Sequence, residues 1–278
     1  MNNFTRVLLL FLSVTSFAHA DETQFLPPKN LYDVPIADPR WPKFSTGVSK
    51  DFKGNLGKSI WGFTFGENIG LVQHDYKSGK YEFGIQAATF GIMDIRSNPT
   101  RLVNADYFIG LGLSHSAGNM QHLFQIYHVS SHVGDEFLLS AAGQNLKRIN
   151  LSYETAKWYV RHKNPEQKFS PYAAIGYMVH VDPGYIKRLI LEAGCDYFSN
   201  KIVFNDTTKL VAGVHLNAWQ ANNFKGTLNI RMGLQYEKTK YCNRYLQLLL
   251  EYKKGKSQQG QFYNRNVESV GLVLAFSS

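Results

Sequence analysis

Thr227-Leu228-Asn229-Ile230-Arg231-Met232-Gly233-Leu234-Gln235-Tyr236 decides the fold class. Leu228, Ile230, Met232, Leu234 and Tyr236 fall on one face, and Thr227, Asn229, Arg231, Gly233 and Gln235 on the other. Side chains that change character at every step follow the two-residue repeat of a β-strand with one apolar face. A strand tilted ~45° needs about ten residues to cross the hydrocarbon of a bilayer, which is the length of this run.

The pattern repeats on both sides. Leu246, Leu248, Leu250 and Tyr252 alternate with Tyr245, Gln247, Leu249 and Glu251. Upstream, Leu210, Ala212, Val214, Leu216 and Ala218 oppose Lys209, Gly213, His215 and Asn217. The last segment sets Val270, Leu272, Leu274 and Phe276 against Ser269, Gly271, Val273 and Ala275, and Phe276 near the C-terminus resembles the recognition strand of outer-membrane barrels. A soluble sandwich also alternates. The length of the strands, the export signal described below and the edge problem that closure removes favour a barrel. The fold expected is all-β, a closed antiparallel transmembrane β-barrel of about twelve strands. Lys58 and Asn68 are read as the starts of its first two strands.

The chain opens with Arg6, an apolar run from Val7 to Phe17 and Ala18-His19-Ala20, a leader with a small-x-small cleavage site. Three segments are therefore expected: 1–20 as signal peptide, 21–57 as a Pro-rich periplasmic arm or plug, and 58–278 as the barrel. Pro27, Pro28, Pro35, Pro39 and Pro42 forbid regular structure in the arm. The net charge of +9 comes from scattered bases, and an exported protein rarely meets nucleic acid, so the expected partners are outer-membrane lipid and the barrel-assembly machinery. Tyr (16) and Phe (19) suit strands and interfacial girdles. With termini on the periplasmic side, tight turns at Ser78-Gly79, Ala117-Gly118-Asn119 and Thr239-Lys240-Tyr241 face inward. Longer connections near Gly91–Arg101, Ser131–Leu146 and Lys254–Arg265 then face outward. Oligomeric state is not legible.

A lumen of this size is narrow. Glu82, Asp106, Glu154, Arg188, Glu192, Asp196, Lys209, Arg231, Glu237 and Glu251 are read as an inward set of mixed sign, filling it with ion pairs rather than lining a charge-selective pore. Cys195 and Cys242 both fall in outward phase on non-adjacent strands, so no disulfide is expected between them.

Chemistry concentrates in Tyr127-His128-Val129-Ser130-Ser131-His132-Val133-Gly134-Asp135-Glu136-Phe137. The glutamines at 121 and 125 put the odd positions in the lumen, so His128 and Ser130 point to lipid above Phe124 and Ile126. Residues two apart on a strand face stand about 7 Å apart at Cα, close enough for an imidazole to take a serine proton. Polar residues at a strand end also serve simply as the cap where a barrel meets water.

His128-x-Ser130 resembles the pair in outer-membrane phospholipase A and in lipid A deacylase barrels, where it faces lipid and a third polar residue orients the histidine. That resemblance implies Ser130 as nucleophile and His128 as base, and for the phospholipase it implies calcium. Asn150 superficially matches the phospholipase asparagine on the following strand. Ile149, Leu151 and Tyr153, however, are read as the lipid face there, which sends Asn150 and Glu154 into the lumen. Asp135 or Glu136 could orient His128 instead, or hold calcium as hard oxygen ligands. A second resemblance spans nearly the whole mature chain. Ile36-Ala37-Asp38-Pro39-Arg40-Trp41-Pro42-Lys43-Phe44-Ser45, His128 to Phe137 and Arg148-Ile149-Asn150-Leu151-Ser152-Tyr153-Glu154 resemble domain-of-unknown-function family twelve-oh-seven. It implies an exported outer-membrane barrel and no particular activity. The leading reading is a barrel with a structural, binding or transport-related role. The alternatives are a lipid-acyl hydrolase using the His-x-Ser dyad, and a soluble periplasmic β-protein.

Overall fold

A computed structural model describes residues 22–54, 56–140, 143–144, 146–164, 166–204, 207–237 and 244–277. Thirteen strands form one antiparallel sheet, twelve of them in a closed ring. A short first strand, β1 (Glu22–Phe25), adds to the edge of β3 outside that ring. The ring runs β2 (Phe44–Asp51), β3 (Ser59–Tyr76), β4 (Gly79–Asp94), β5 (Arg101–Ala117), β6 (Met120–Val133), β7 (Ser152–His162), β8 (Phe169–Asp182), β9 (Leu189–Phe204), β10 (Thr208–Trp219), β11 (Thr227–Tyr236), β12 (Tyr245–Lys256) and β13 (Asn266–Ser277). It closes where β2 pairs with both β13 and β3.

The expected number of strands holds although one expected start, Asn68, fails and one strand was not expected. Phe44–Asp51 lies within the stretch expected to be arm, yet it is the strand that seals the ring. Conversely, the separate strands expected from Lys58 and Asn68 are one strand of 18 residues, bulged between Gly70 and Val72. Gly66-Glu67-Asn68 mimics a turn in the sequence, but β4 pairs continuously across it.

Alternation sets inside from outside. On β11, Thr227, Asn229, Arg231 and Gln235 are buried, whereas Met232 and Tyr236 are exposed. Ile109, Leu111, Leu113, Phe124, Ile126, Trp158, Ile175, Leu216, Leu248 and Leu272 continue an apolar belt around the outer wall. Such a belt exceeds what a water-facing surface carries, and a closed ring of this kind is not a sandwich. Tight connections after β3 and β5 mark one end, and longer loops after β4, β6 and β12 the other; these are called the turn end and the loop end. Among the described residues, no helix is long and apolar enough to cross a membrane.

The lumen is full. The chain from Asn30 to Lys43 runs inside it, with Tyr32, Ile36, Ala37, Asp38, Trp41 and Lys43 buried. Lacking regular structure, its backbone is satisfied by wall side chains instead. Leu31 N donates to Glu82, Ile36 N to Asp196 Oδ1 (3.1 Å), and Asn229 Nδ2 donates to Ala37 O. Arg40 pairs with Asp106 at 2.8 Å and lies 4.0 Å over the Phe90 ring. Tyr32, Trp41 and Tyr159 pack ring on ring. At Gly213 a Cβ would meet Ile36 Cβ at 2.9 Å, so only glycine lets the arm lie this close to β10. Burial, and the charge of Arg231 nearby, bring the Lys43 ammonium down to about 7, where its Nζ donates to the carbonyls of Pro35 and Ile36.

Wall charges pair as a mixed-sign network, along the wall between neighbouring or next-neighbouring strands rather than across the lumen: Lys157–Glu192 (2.8 Å), Arg161–Asp196 (2.8 Å), Arg231–Glu251 (2.6 Å) and Lys209–Glu237 (2.8 Å). Three corrections apply to the inward set. Glu154 points outward, Arg188 sits in the loop before β9, and Lys157 and Arg161 belong inside. Cys195 lies in outward phase next to buried Asp196, and Cys242 lies outside the described residues.

Towards the loop end the lumen turns apolar. Phe90, Phe108, Tyr127, Val129, Leu151, Tyr153, Met178 and Ile190 form one core cluster. The β12–β13 loop folds into the mouth above it. Gly260 N donates to Asp106 Oδ2, Gln261 N donates to Ser131 Oγ, and Phe262 packs edge-on against Phe137.

Candidate functional site

Strand register brings the site together on the outer wall near the loop end. His128 on β6 lies directly opposite Glu154 on β7, and Glu154 opposite His180 on β8. Directly opposed residues hold their Cβ atoms about 4.5–5.5 Å apart, so three side chains from three strands meet in a row. His128 Nδ1 is 2.7 Å from Glu154 Oε1, and His180 Nδ1 is 2.8 Å from Glu154 Oε2. A carboxylate only accepts, so both imidazoles donate from Nδ1, which leaves Nε2 of His128 as a base.

Ser130 is two residues further along the same face, with its Oγ 2.8 Å from Nε2 of His132. One hydroxyl thus stands between two imidazoles on one strand face, and only His128 is backed by a carboxylate. Tyr107 lies opposite Ser130 and meets His132 edge-on at 5.6 Å. Below them Ile109 opposes His128, and Phe124 and Ile126 continue the exposed apolar face. The His128 and Glu154 side chains keep 40% and 37% of their accessible surface, so the group is open to whatever covers the outer wall.

Of the residues expected from sequence, His128 and Ser130 face outward together. The others do not join them. Asp135 and Glu136 are exposed in the first turn of a four-residue helix, α1 (Asp135–Leu138), and Asn150 is exposed in the loop before β7. The carboxylate that meets His128 is instead that of Glu154, the residue expected in the lumen. That expectation rested on Leu151 and Tyr153 being lipid-facing, but both are buried in the apolar upper lumen. Tyr159 and the charges of Lys157 and Arg161 share their phase, which forces the odd positions of β7 inward and Glu154 out. His180 was hidden for another reason. Met178 is buried, so His180 would also point inward, but the register shifts beside Val179 and turns it out. Such a bulge re-aims a side chain. The neighbouring Ser131 faces inward and bonds Asp106 and Asn104.

Among the described residues, the acidic, histidine and cysteine side chains converge closely enough for a metal only at Asp38, Glu192 and His215, inside the lumen. Asp135 and Glu136 gather no such set with Glu154, so no step at this site is routed through calcium.

Residues 15–277 match the family described as "Protein of unknown function (DUF1207)". The chain belongs to that family. No curated protein matches the chain. Among solved structures, this DUF1207 chain is similar to outer membrane phospholipase A from Escherichia coli, at 15% identity and a TM-score of 0.56, over 88% of this chain and 93% of that one. It is also similar to the Salmonella typhi outer membrane phospholipase, solved as a dimer with bound calcium, at 14% identity and a TM-score of 0.55, over 90% and 94%. Identity this low speaks for fold alone. The DUF1207 chain has an outer-membrane-type β-barrel.

Proposed function

We propose that the protein is an outer-membrane hydrolase of lipid acyl esters, with Ser130 as nucleophile, His128 as base and Glu154 as the residue that orients it. The observation that carries this reading is the 2.7 Å bond from His128 to Glu154, beside Ser130, on the lipid face of the wall. A serine hydroxyl attacks a carbonyl only when a base removes its proton, and the base works best when a carboxylate fixes its tautomer and balances its developing charge. Nε2 of His128 takes the Ser130 proton as Oγ bonds to the ester carbon. The same proton then passes to the departing alkoxide as the ester bond breaks, and water releases the fatty acid by the reverse path. In the resting arrangement the hydroxyl bonds His132 rather than His128. We assign His132 as the donor that meets the carbonyl oxygen once Ser130 turns to its base.

The surroundings favour a membrane lipid over a soluble ester. Ile109, Ile126 and Phe124 lie along the wall below Ser130, where an acyl chain in the leaflet would run. Export through the leader, assembly by the barrel machinery and a loop end facing outward complete the proposal. Conduction through the lumen is the weaker reading, because the arm occupies it.

Release of fatty acid by the refolded barrel from phospholipid and from lipid A in mixed micelles tests the proposal. Activity is expected to fall by about 10⁴-fold in Ser130→Ala and comparably in His128→Ala. A folded wild type, supplied with calcium, that hydrolyses neither lipid sinks it.

A further inference from the structure

Inside the lumen, Asp38 of the arm, Glu192 of β9 and His215 of β10 converge at a place the outer-wall chemistry does not use. One ligand atom from each lies within 4.8 Å of the others. All three residues are buried, and His215 keeps no exposure at all. The imidazole is fixed from behind, since its Nδ1 lies 3.0 Å from the Tyr172 hydroxyl. Its Nε2 is buried, has no hydrogen-bond partner among the described residues and faces Asp38 Oδ1 at 3.8 Å. A buried ring nitrogen without a partner is costly unless something completes it. Ordered water is one candidate for that role and a cation the other.

The geometry points to a site for a borderline divalent cation of the zinc type, held by Nε2 of His215 and one oxygen each of Asp38 and Glu192. An imidazole with two carboxylates is a donor set that suits zinc, and an outer-shell hydroxyl on the far ring nitrogen is the usual support. Two ligands of a tetrahedral ion at ~2.0–2.1 Å stand about 3.4 Å apart, so the 3.8 Å between Nε2 and Oδ1 needs to close only slightly. Glu192 retains a place for the ion. Its Oε1 accepts from Lys157 and Asn217, whereas Oε2, among the described residues, accepts only from Tyr159. Asp38 Oδ1 accepts from Arg40 N. Asp38 and Glu192 also border a cavity of about 50 Å³, enough for a fourth, water ligand. Because Asp38 belongs to the arm and the other two to the wall, the ion would staple the plug to the barrel.

Zinc is the probe. Metal-stripped, refolded full-length barrel, its closure checked by heat-modifiable mobility, is titrated with Zn²⁺ by calorimetry, and Co²⁺ substitution is followed by absorbance. The expected result is one Zn²⁺ per chain with a tetrahedral Co²⁺ spectrum. His215→Ala and, independently, Asp38→Asn should weaken binding by more than about 100-fold. His180→Ala, which removes an exposed imidazole on the outer wall, should leave it unchanged. Folded wild type that binds no Zn²⁺ overturns the proposal, as does binding that survives His215→Ala or disappears in His180→Ala.

Discussion

Asp196 and Glu154 are both carboxylates on the barrel wall, and the difference between them separates what holds this molecule together from the site proposed to act on lipid. Asp196 is fully buried in the lumen. Its Oδ2 meets Arg161 at 2.8 Å, and its Oδ1 takes the Ile36 amide of the arm. Its partner is a guanidinium that never loses its charge, so the pair is permanent and structural. Glu154 stands on the other side of the same wall with no permanent cation. Its two oxygens hold two imidazoles, and one of them lies two residues from a serine. A fixed pair suits a plug. A carboxylate that fixes an imidazole beside a hydroxyl is the arrangement the proposed proton transfer needs.

Mutations on the two sides should therefore fail in opposite ways. Arg161→Met leaves Asp196 buried and unpaired, and the expected cost is about 3–5 kcal/mol of stability, read as a lowered urea midpoint. Hydrolysis per folded molecule should hardly change, because the outer wall is untouched. Glu154→Ala should do the reverse. Its partners are partly exposed, so stability is expected to move by about 1 kcal/mol or less. The turnover number should fall by about 10²-fold or more. Glu154→Gln should recover part of that loss, since its amide oxygen still accepts the Nδ1 proton. A Glu154→Ala barrel that unfolds like Arg161→Met while keeping its activity would erase the distinction.

The smallest expected effect is a pH dependence of the plug. Lys43 titrates near 7 in the folded lumen, against an ordinary value of 10.5. Between those values the unfolded chain binds more protons than the folded one, so stability rises with pH. From pH 7 to 9 the urea midpoint should climb, by about 1–2 kcal/mol in stability. In Lys43→Met the climb should vanish.

The fold was legible because its signal is repeated on strand after strand. The period of two on β10 to β13 survives any single misplaced boundary, and closure requires the strands to pair in order. Boundaries were less legible. Phe44–Asp51 follows a run of prolines and carries few apolar residues, and the turn-like Gly66-Glu67-Asn68 sits inside a continuous strand. The site was half legible. His128 and Ser130 followed from the glutamines on the opposite face of β6. Glu154 did not, because the upper lumen is itself apolar and buries Leu151 and Tyr153, so "apolar faces lipid" assigned β7 the wrong phase. His180 depends on a bulge, and a bulge moves a side chain across the wall without leaving a mark in local composition.

The most direct test of the central claim is covalent. The refolded wild type, incubated with an alkyl fluorophosphonate in detergent, should gain one adduct by intact mass, mapped by peptide sequencing to Ser130. Labelling should disappear in Ser130→Ala and in His128→Ala, although both keep heat-modifiable mobility. A folded wild type that stays unlabelled, or is labelled at another residue, contradicts the account.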